Sequence, residues 1–158
     1  MTLYEERLAG DLKIIRGKVQ DIADRVCAAL QDAVDAAERN DHDVLNDVVL
    51  GDYGINRDVR CIDRLCHEFV AKHLPAAGHL RFISAVLRLT IALERAGDYA
   101  VTISRVAMQL NKPLAPALIT KAKSMAEIST KMLADATKAF LTSNARLAAE
   151  TKRLDFQV

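Results

Sequence analysis

The chain has no tryptophan, and aromatic residues make up only 4% of its 158 residues. Six glycines and three prolines leave too few turns for a strand-rich fold. The three cysteines, Cys27, Cys61 and Cys66, are odd in number and lack CxxC spacing, so a disulfide framework is not expected and a reducing compartment fits. Lys+Arg is 22 and Asp+Glu is 21, a net charge of +1, which leaves no gross positive field for nucleic acid. No apolar run reaches the roughly 18 residues that a membrane helix needs. The opening MTLYEERLAGDLK is too charged for a signal peptide. Phosphate-cradling glycine loops are also missing, and Ser and Thr lack a partnered His. His67-Glu68 is followed by Ala71, which breaks a zinc-protease HExxH. No Glu-x-x-His occurs, which argues against a ferritin-like di-iron oxidase. A catalytic constellation is therefore not expected.

What is present is a 51% hydrophobic, 27% charged sequence with strong helical periodicity. From Leu3 to about Arg39, apolar residues recur at Leu8, Leu12, Ile15, Val19, Ile22, Val26, Leu30 and Ala33. Steps of three and four make a heptad seam, so one long bundle helix is expected. Asn40-Asp41-His42-Asp43 interrupts it and offers an N-cap. The second helix, about 43–73, carries Val44, Val48, Ile55, Val59, Ile62, Cys66 and Phe69, with Gly51 filling the missing step. Cys66 on that stripe reads as a packed core residue rather than a zinc ligand beside Cys61 and His67. Pro75 and Gly78 end this segment. The third helix, about 79–110, carries Phe82, Val86, Leu89, Leu93, Ala96, Ala100, Ile103 and Ala107, with Arg81, Arg88 and Arg95 on the opposite, solvent side. After a break at Asn111-Lys112-Pro113 comes a fourth segment, about 117–143, and then a fifth.

Sliding the chain by 103 positions superposes Leu30 on Leu133, Asp32 on Asp135, Ala33 on Ala136, Ala36 on Ala139 and Asp52 on Asp155. The helix breaks superpose too, Asn40-Asp41 on Ser143-Asn144. The expected fold is all-α, antiparallel three-helix bundle units in tandem, with residues 1–111 a first repeat and 112–158 the start of an incomplete second one. An unfinished unit predicts exposed apolar surface and self-association.

Within the third helix, Glu94 and Asp98 stand at i and i+4 on a line that otherwise reads Ile83, Leu87, Ile91 and Val101. Two adjacent carboxylates on an apolar line repel each other and lose solvation, so a hard cation would compensate them. An arginine from a neighbouring helix, or simple exposure at the stripe's edge, would do so equally. Asp52 and Asn56 repeat the i,i+4 arrangement on the second helix, beside Gly51 and Gly54.

The third segment, AGHLRFISAVLRLTIALERAGDYAVTISR, resembles the third-helix signature of PhoU-type phosphate-uptake regulators, a leucine-rich run into Glu-Arg-x-Gly-Asp. VVLGDYGINRDV is similar to that family's Asp-x-x-Ile-Asn element, and the ERND break and Pro75 turn fall at matching places. The resemblance implies a non-enzymatic, cytoplasmic, usually homodimeric negative regulator of phosphate signalling. Its implied partners are the phosphate-specific ABC transporter and its sensor histidine kinase, so membranes are approached only through partners. It also implies metal (Fe, Zn, Mn or Mg) on a carboxylate surface, with Glu94 and Asp98 as the ligand motif and Asp52 and Asn56 as the adjacent polar element. Arg95 is a motif position without an assigned role. His79 and Thr102 stand where the family usually has an acidic residue and often has Asn. A structural oligomerisation or adaptor module without metal is the alternative expectation.

Overall fold

A computed structural model describes residues 2–110 and 114–154. It contains five α-helices: α1 (Leu3–Arg39), α2 (His42–His73), α3 (Ala77–Met108), α4 (Pro116–Leu141) and α5 (Ala145–Arg153). Among the described residues there is no strand. Helices α1, α2 and α3 pack pairwise on one another as an up-down-up bundle. Helix α4 lies on α1, and α5 lies on α4. The repeat partner Asp155 and the 111–113 break lie outside the described residues.

The core is three interlocking heptad seams. On α1 the buried line is Leu12, Ile15, Val19, Ile22, Val26, Ala33 and Ala36. On α2 it starts at Leu45, not Val44, and runs Val48, Ile55, Val59, Ile62, Cys66, Phe69 and His73. Steps of three and four then put the missing position at Asp52; Gly51 is exposed instead. On α3 the deepest line is Ile83, Val86, Thr90, Leu93, Gly97, Ala100, Ser104 and Ala107. Phe82, Leu89, Ala96 and Ile103, expected in the seam, flank it half-buried. Phe82 is drawn outward because its ring stacks on Phe140 of α4 at 5.3 Å and lies under the Arg16 guanidinium at 4.1 Å. Small residues at 90, 97 and 104 let α3 approach closely. The bundle thins toward the α1–α2 turn, where its layers are Ala33, Val48 and Ala100, then Ala36, Leu45 and Ala107.

The two tight turns repeat each other at the same 103-residue offset. Asn40 and Ser143 both take a left-handed backbone, with φ of 52° and 54°. Asp41 N–H donates to the Ala36 carbonyl at 2.9 Å, and Asn144 N–H to the Ala139 carbonyl at 2.8 Å. Asp41 then caps α2 by accepting from Val44 N–H, and Asn144 caps α5 by accepting from Leu147 N–H. Helix α4 runs antiparallel to α1. Lys123 pairs with Asp35 and Glu38, the Cys27 thiol meets the Thr130 carbonyl, and Arg16 donates to the Leu141 carbonyl.

At the wide end, the buried His73 ring meets Asp11 Oδ2 at 2.8 Å through Nε2, and Lys72 reaches the same oxygen at 2.7 Å. Tyr4 donates its hydroxyl proton to the His73 carbonyl at 2.8 Å. The Lys72 and His73 hydrogen bonds hold the Asp11 carboxyl below its usual range. A depressed carboxylate contributes stability above its unfolded pKa and loses it as pH falls through the folded one. Wild type is therefore expected to lose more stability than Asp11→Asn below about pH 4, by at most about 1 kcal/mol for so solvated a group. Melting temperatures of the two proteins between about pH 6 and 3 check this; parallel curves would mean that the clamp adds nothing.

Candidate functional site

Seam geometry brings three of the four expected site residues together. Asp52 occupies a core heptad slot between Val48 and Ile55, and Gly97 of α3 stands opposite. A Cβ built on Gly97 would lie 3.5 Å from Asp52 Oδ1 and 3.6 Å from Ile55 Cδ1, so any side chain there would close the space beside the carboxylate. Asn56, one turn on, donates from Nδ2 to Asp52 Oδ2 at 2.6 Å. Asp52 Oδ1 and Asn56 Oδ1 are both buried without a hydrogen-bond partner.

The electrostatics follow from that placement. Burial pushes the Asp52 carboxyl above its ordinary pKa, and the neighbouring Asp98 charge pushes it further. The Asn56 donation and the positive field of Arg105 oppose the shift without cancelling it. Asp98 follows Gly97 and is exposed at the edge of the α2–α3 seam. Glu94, one turn earlier, is half-buried, and Arg95 between them is exposed. Ile91 on the same line is 56% exposed, so the line runs from the core into solvent rather than staying apolar throughout. Neither Glu94 nor Asp98 forms an ion pair among the described residues. Among the described residues no arginine therefore pairs directly with Glu94 or Asp98, and Arg105 acts on Asp52 only through its field.

A hard cation fits this donor set in kind. It offers the free oxygens of Asp52 and Asn56, with the Asp98 carboxylate close enough for its charge to act on Asp52. Among the described residues no three His, Cys, Asp or Glu side chains cluster closely enough to hold a metal ion by themselves. Thr102 donates its hydroxyl proton to the Asp98 backbone carbonyl at 2.8 Å. His79 is fifteen residues before Glu94 on the same helix, about 22 Å along its axis, and so belongs to a different region. Cys66 is a core residue, and burial raises its thiol to about 11. Two contributors are not evident from i,i+4 pairs: Gly97, and Arg105 two turns after Asp98. Continuing the α3 heptad from Ile83 instead of Phe82 finds Gly97.

The arrangement lies within residues 19–107, which match the PhoU domain. The chain belongs to the PhoU family. It is 32% identical over 149 residues to the phosphate-specific transport system accessory protein PhoU of Edwardsiella tarda, covering 92% of this chain and 61% of that protein. The crystal structure of the phosphate transport system regulatory protein PhoU from Streptococcus pneumoniae superposes with a TM-score of 0.85 at 25% identity. That match covers 95% of this chain and 70% of the pneumococcal one. PhoU from Pseudomonas aeruginosa gives a TM-score of 0.73 at 29% identity, over 98% and 71% of the two chains. The chain thus spans less than two thirds of the length of the Edwardsiella relative. No described helix is long and apolar enough to cross a membrane.

Proposed function

We propose that this chain is a non-enzymatic regulator of phosphate uptake, acting at the cytoplasmic side on a phosphate-specific ABC transporter and its sensor histidine kinase. The proteins it resembles are named as accessory and regulatory parts of phosphate transport. The observation that carries the reading is Asp52: a carboxylate installed at a core position, facing a glycine, with like-charged Asp98 alongside. Such an arrangement costs stability in the free protein, and a bound cation offsets that cost. The ion would be held by Asp52, Asn56 and Asp98, with Glu94 one turn away and water completing its coordination. Metal would join α2 to α3 at the thin end of the bundle and set the surface shown to partners. Negative regulation and homodimer formation belong to the same reading.

The test is metal retention by untagged protein loaded in turn with Fe, Zn, Mn and Mg, alongside Glu94→Ala and Asp98→Ala. Wild type should hold one of these metals at least about tenfold more tightly than either variant. Equal retention by all three proteins, or none by wild type, removes the metal from the reading. A metal-free adaptor is the second reading, favoured by Tyr53 and Tyr99, which are 71% and 59% exposed and adjoin Asp52 and Asp98. Asp98→Lys separates the two: an adaptor loses association with unchanged metal content, whereas a metal protein loses the metal first.

A further inference from the structure

A groove of about 490 Å³ runs between α1 and α2. Its floor is apolar, formed by Ala28, Ala29, Val44, Val48 and Ile55. At Gly51, in the α2 wall, even an added Cβ would meet nothing within 4 Å among the described residues, so the wall is notched there. Leu50 stands beside the notch, on the Asp47–Gly51–Gly54 face of the helix, and is 72% exposed. Gly54 leaves room for the Arg25 guanidinium, because a Cβ there would lie 2.6 Å from Arg25 Nη2. Asp58 holds the same guanidinium through Nη1. Arg25 is thereby fixed on the groove wall, seven residues before Asp32 on one line of α1.

This surface is complementary to its own inverted image. Ala28 and Ala29 lie midway between Arg25 and Asp32. A second α1 crossing antiparallel at that midpoint sets each Arg25 against the partner's Asp32, about 5 Å along the helix from the crossing. The core layers pair Ala33 with Val48 and Ala36 with Leu45, a register that brings the Gly51–Gly54 turn level with the same midpoint. Each Leu50 then reaches the partner's Gly51 notch, a knob into a hole made twice by the symmetry. Lys18 and Arg39 oppose each other only about 16 Å from the crossing, where helices packed at an angle have separated. We propose that two copies of the chain meet through the α1–α2 groove, about a twofold axis at Ala28 and Ala29. This interface rests on the homodimer part of the functional reading and gives it a surface.

Light scattering of the full chain should show a dimer. Leu50→Arg and Asp32→Arg alter exposed positions, keep the fold by circular dichroism, and should each weaken the dimer at least about tenfold. Arg25→Asp should do the same. The decisive arm mixes Asp32→Arg chains with Arg25→Asp chains. Each variant alone opposes like charges twice across the axis, whereas a mixed pair opposes unlike charges twice. The mixture should therefore associate at least about tenfold more tightly than either variant by itself. A mixture no tighter than its components overturns the proposal. So does a dimer that ignores both Leu50→Arg and Asp32→Arg, which leaves homodimer formation standing on another surface. Wild type that stays monomeric at about 100 μM overturns the interface and the homodimer reading together, and metal retention remains the separate test of the Asp52 site.

Discussion

Phe69→Ala is expected to cost about 3–5 kcal/mol, a large part of the roughly 5–15 kcal/mol by which a domain is stable. Phe69 is 2% exposed and sits where all three helices of the first unit meet, among Leu12, Ile15, Cys66, Ile83 and Val86. Truncation deletes a ring that its neighbours cannot replace, because the helices are held apart by large residues on every side. It also strips one wall from His73, whose ring lies 4.9 Å from that of Phe69. The buried imidazole would then meet water beside the small cavity that Asp11, Glu68 and Lys72 already line. Urea unfolding should show a lower midpoint, and the melting temperature should fall by on the order of 10 °C. Asp52 is seventeen residues earlier on α2, about 25 Å away along the helix. Metal retention by the surviving folded protein should therefore be unchanged. A loss below about 1.5 kcal/mol would show that the wide end repacks, and that the stability of the bundle resides elsewhere.

The distribution of large and small residues explains how much of this was legible in the sequence. The α1 seam is written in Leu, Ile and Val, and periodicity alone identifies it. The turns are legible as well, because Asn40-Asp41 and Ser143-Asn144 are capping residues that serve the same purpose twice. The α2 and α3 seams are harder, because their deepest residues are not all apolar. A search for apolar residues passes over Asp52 and substitutes Gly51, the neighbour without a charge. On α3 it prefers Phe82, Leu89, Ala96 and Ile103 to Ile83, Thr90, Gly97 and Ser104. The true line is chosen by how closely two backbones approach, a property of the helix pair and not of one segment. That is also why the site was only partly legible. Spacing finds Glu94 with Asp98 and Asp52 with Asn56, each within one helix. That Asp52 faces Gly97 across the seam, with the Asp98 charge near it, follows only once both registers are known.

Asp52→Asn is expected to stabilise the fold while removing the site's affinity for metal. The substitution keeps the shape of the side chain and deletes a charge that is disfavoured by burial and by Asp98. The sign of the pH dependence follows from the raised folded pKa. A protonated Asp52 contributes its full share of stability below the unfolded carboxyl value, and that share is lost as pH rises through the folded one. At neutral pH the ionised group therefore opposes folding. Relieving it should add a few tenths to about 1 kcal/mol for a group near the surface, with the advantage over wild type fading below about pH 4. Metal affinity should move the other way, falling about 10- to 100-fold, because a neutral amide replaces the carboxylate at the centre of the donor set. Adding metal should then raise the melting temperature of wild type and leave that of the variant nearly fixed. A variant less stable than metal-free wild type would mean that Asp52 is already compensated within the chain, with Arg105 as the group to substitute next. In that case the acid at the core position would be a structural element of the α2–α3 seam.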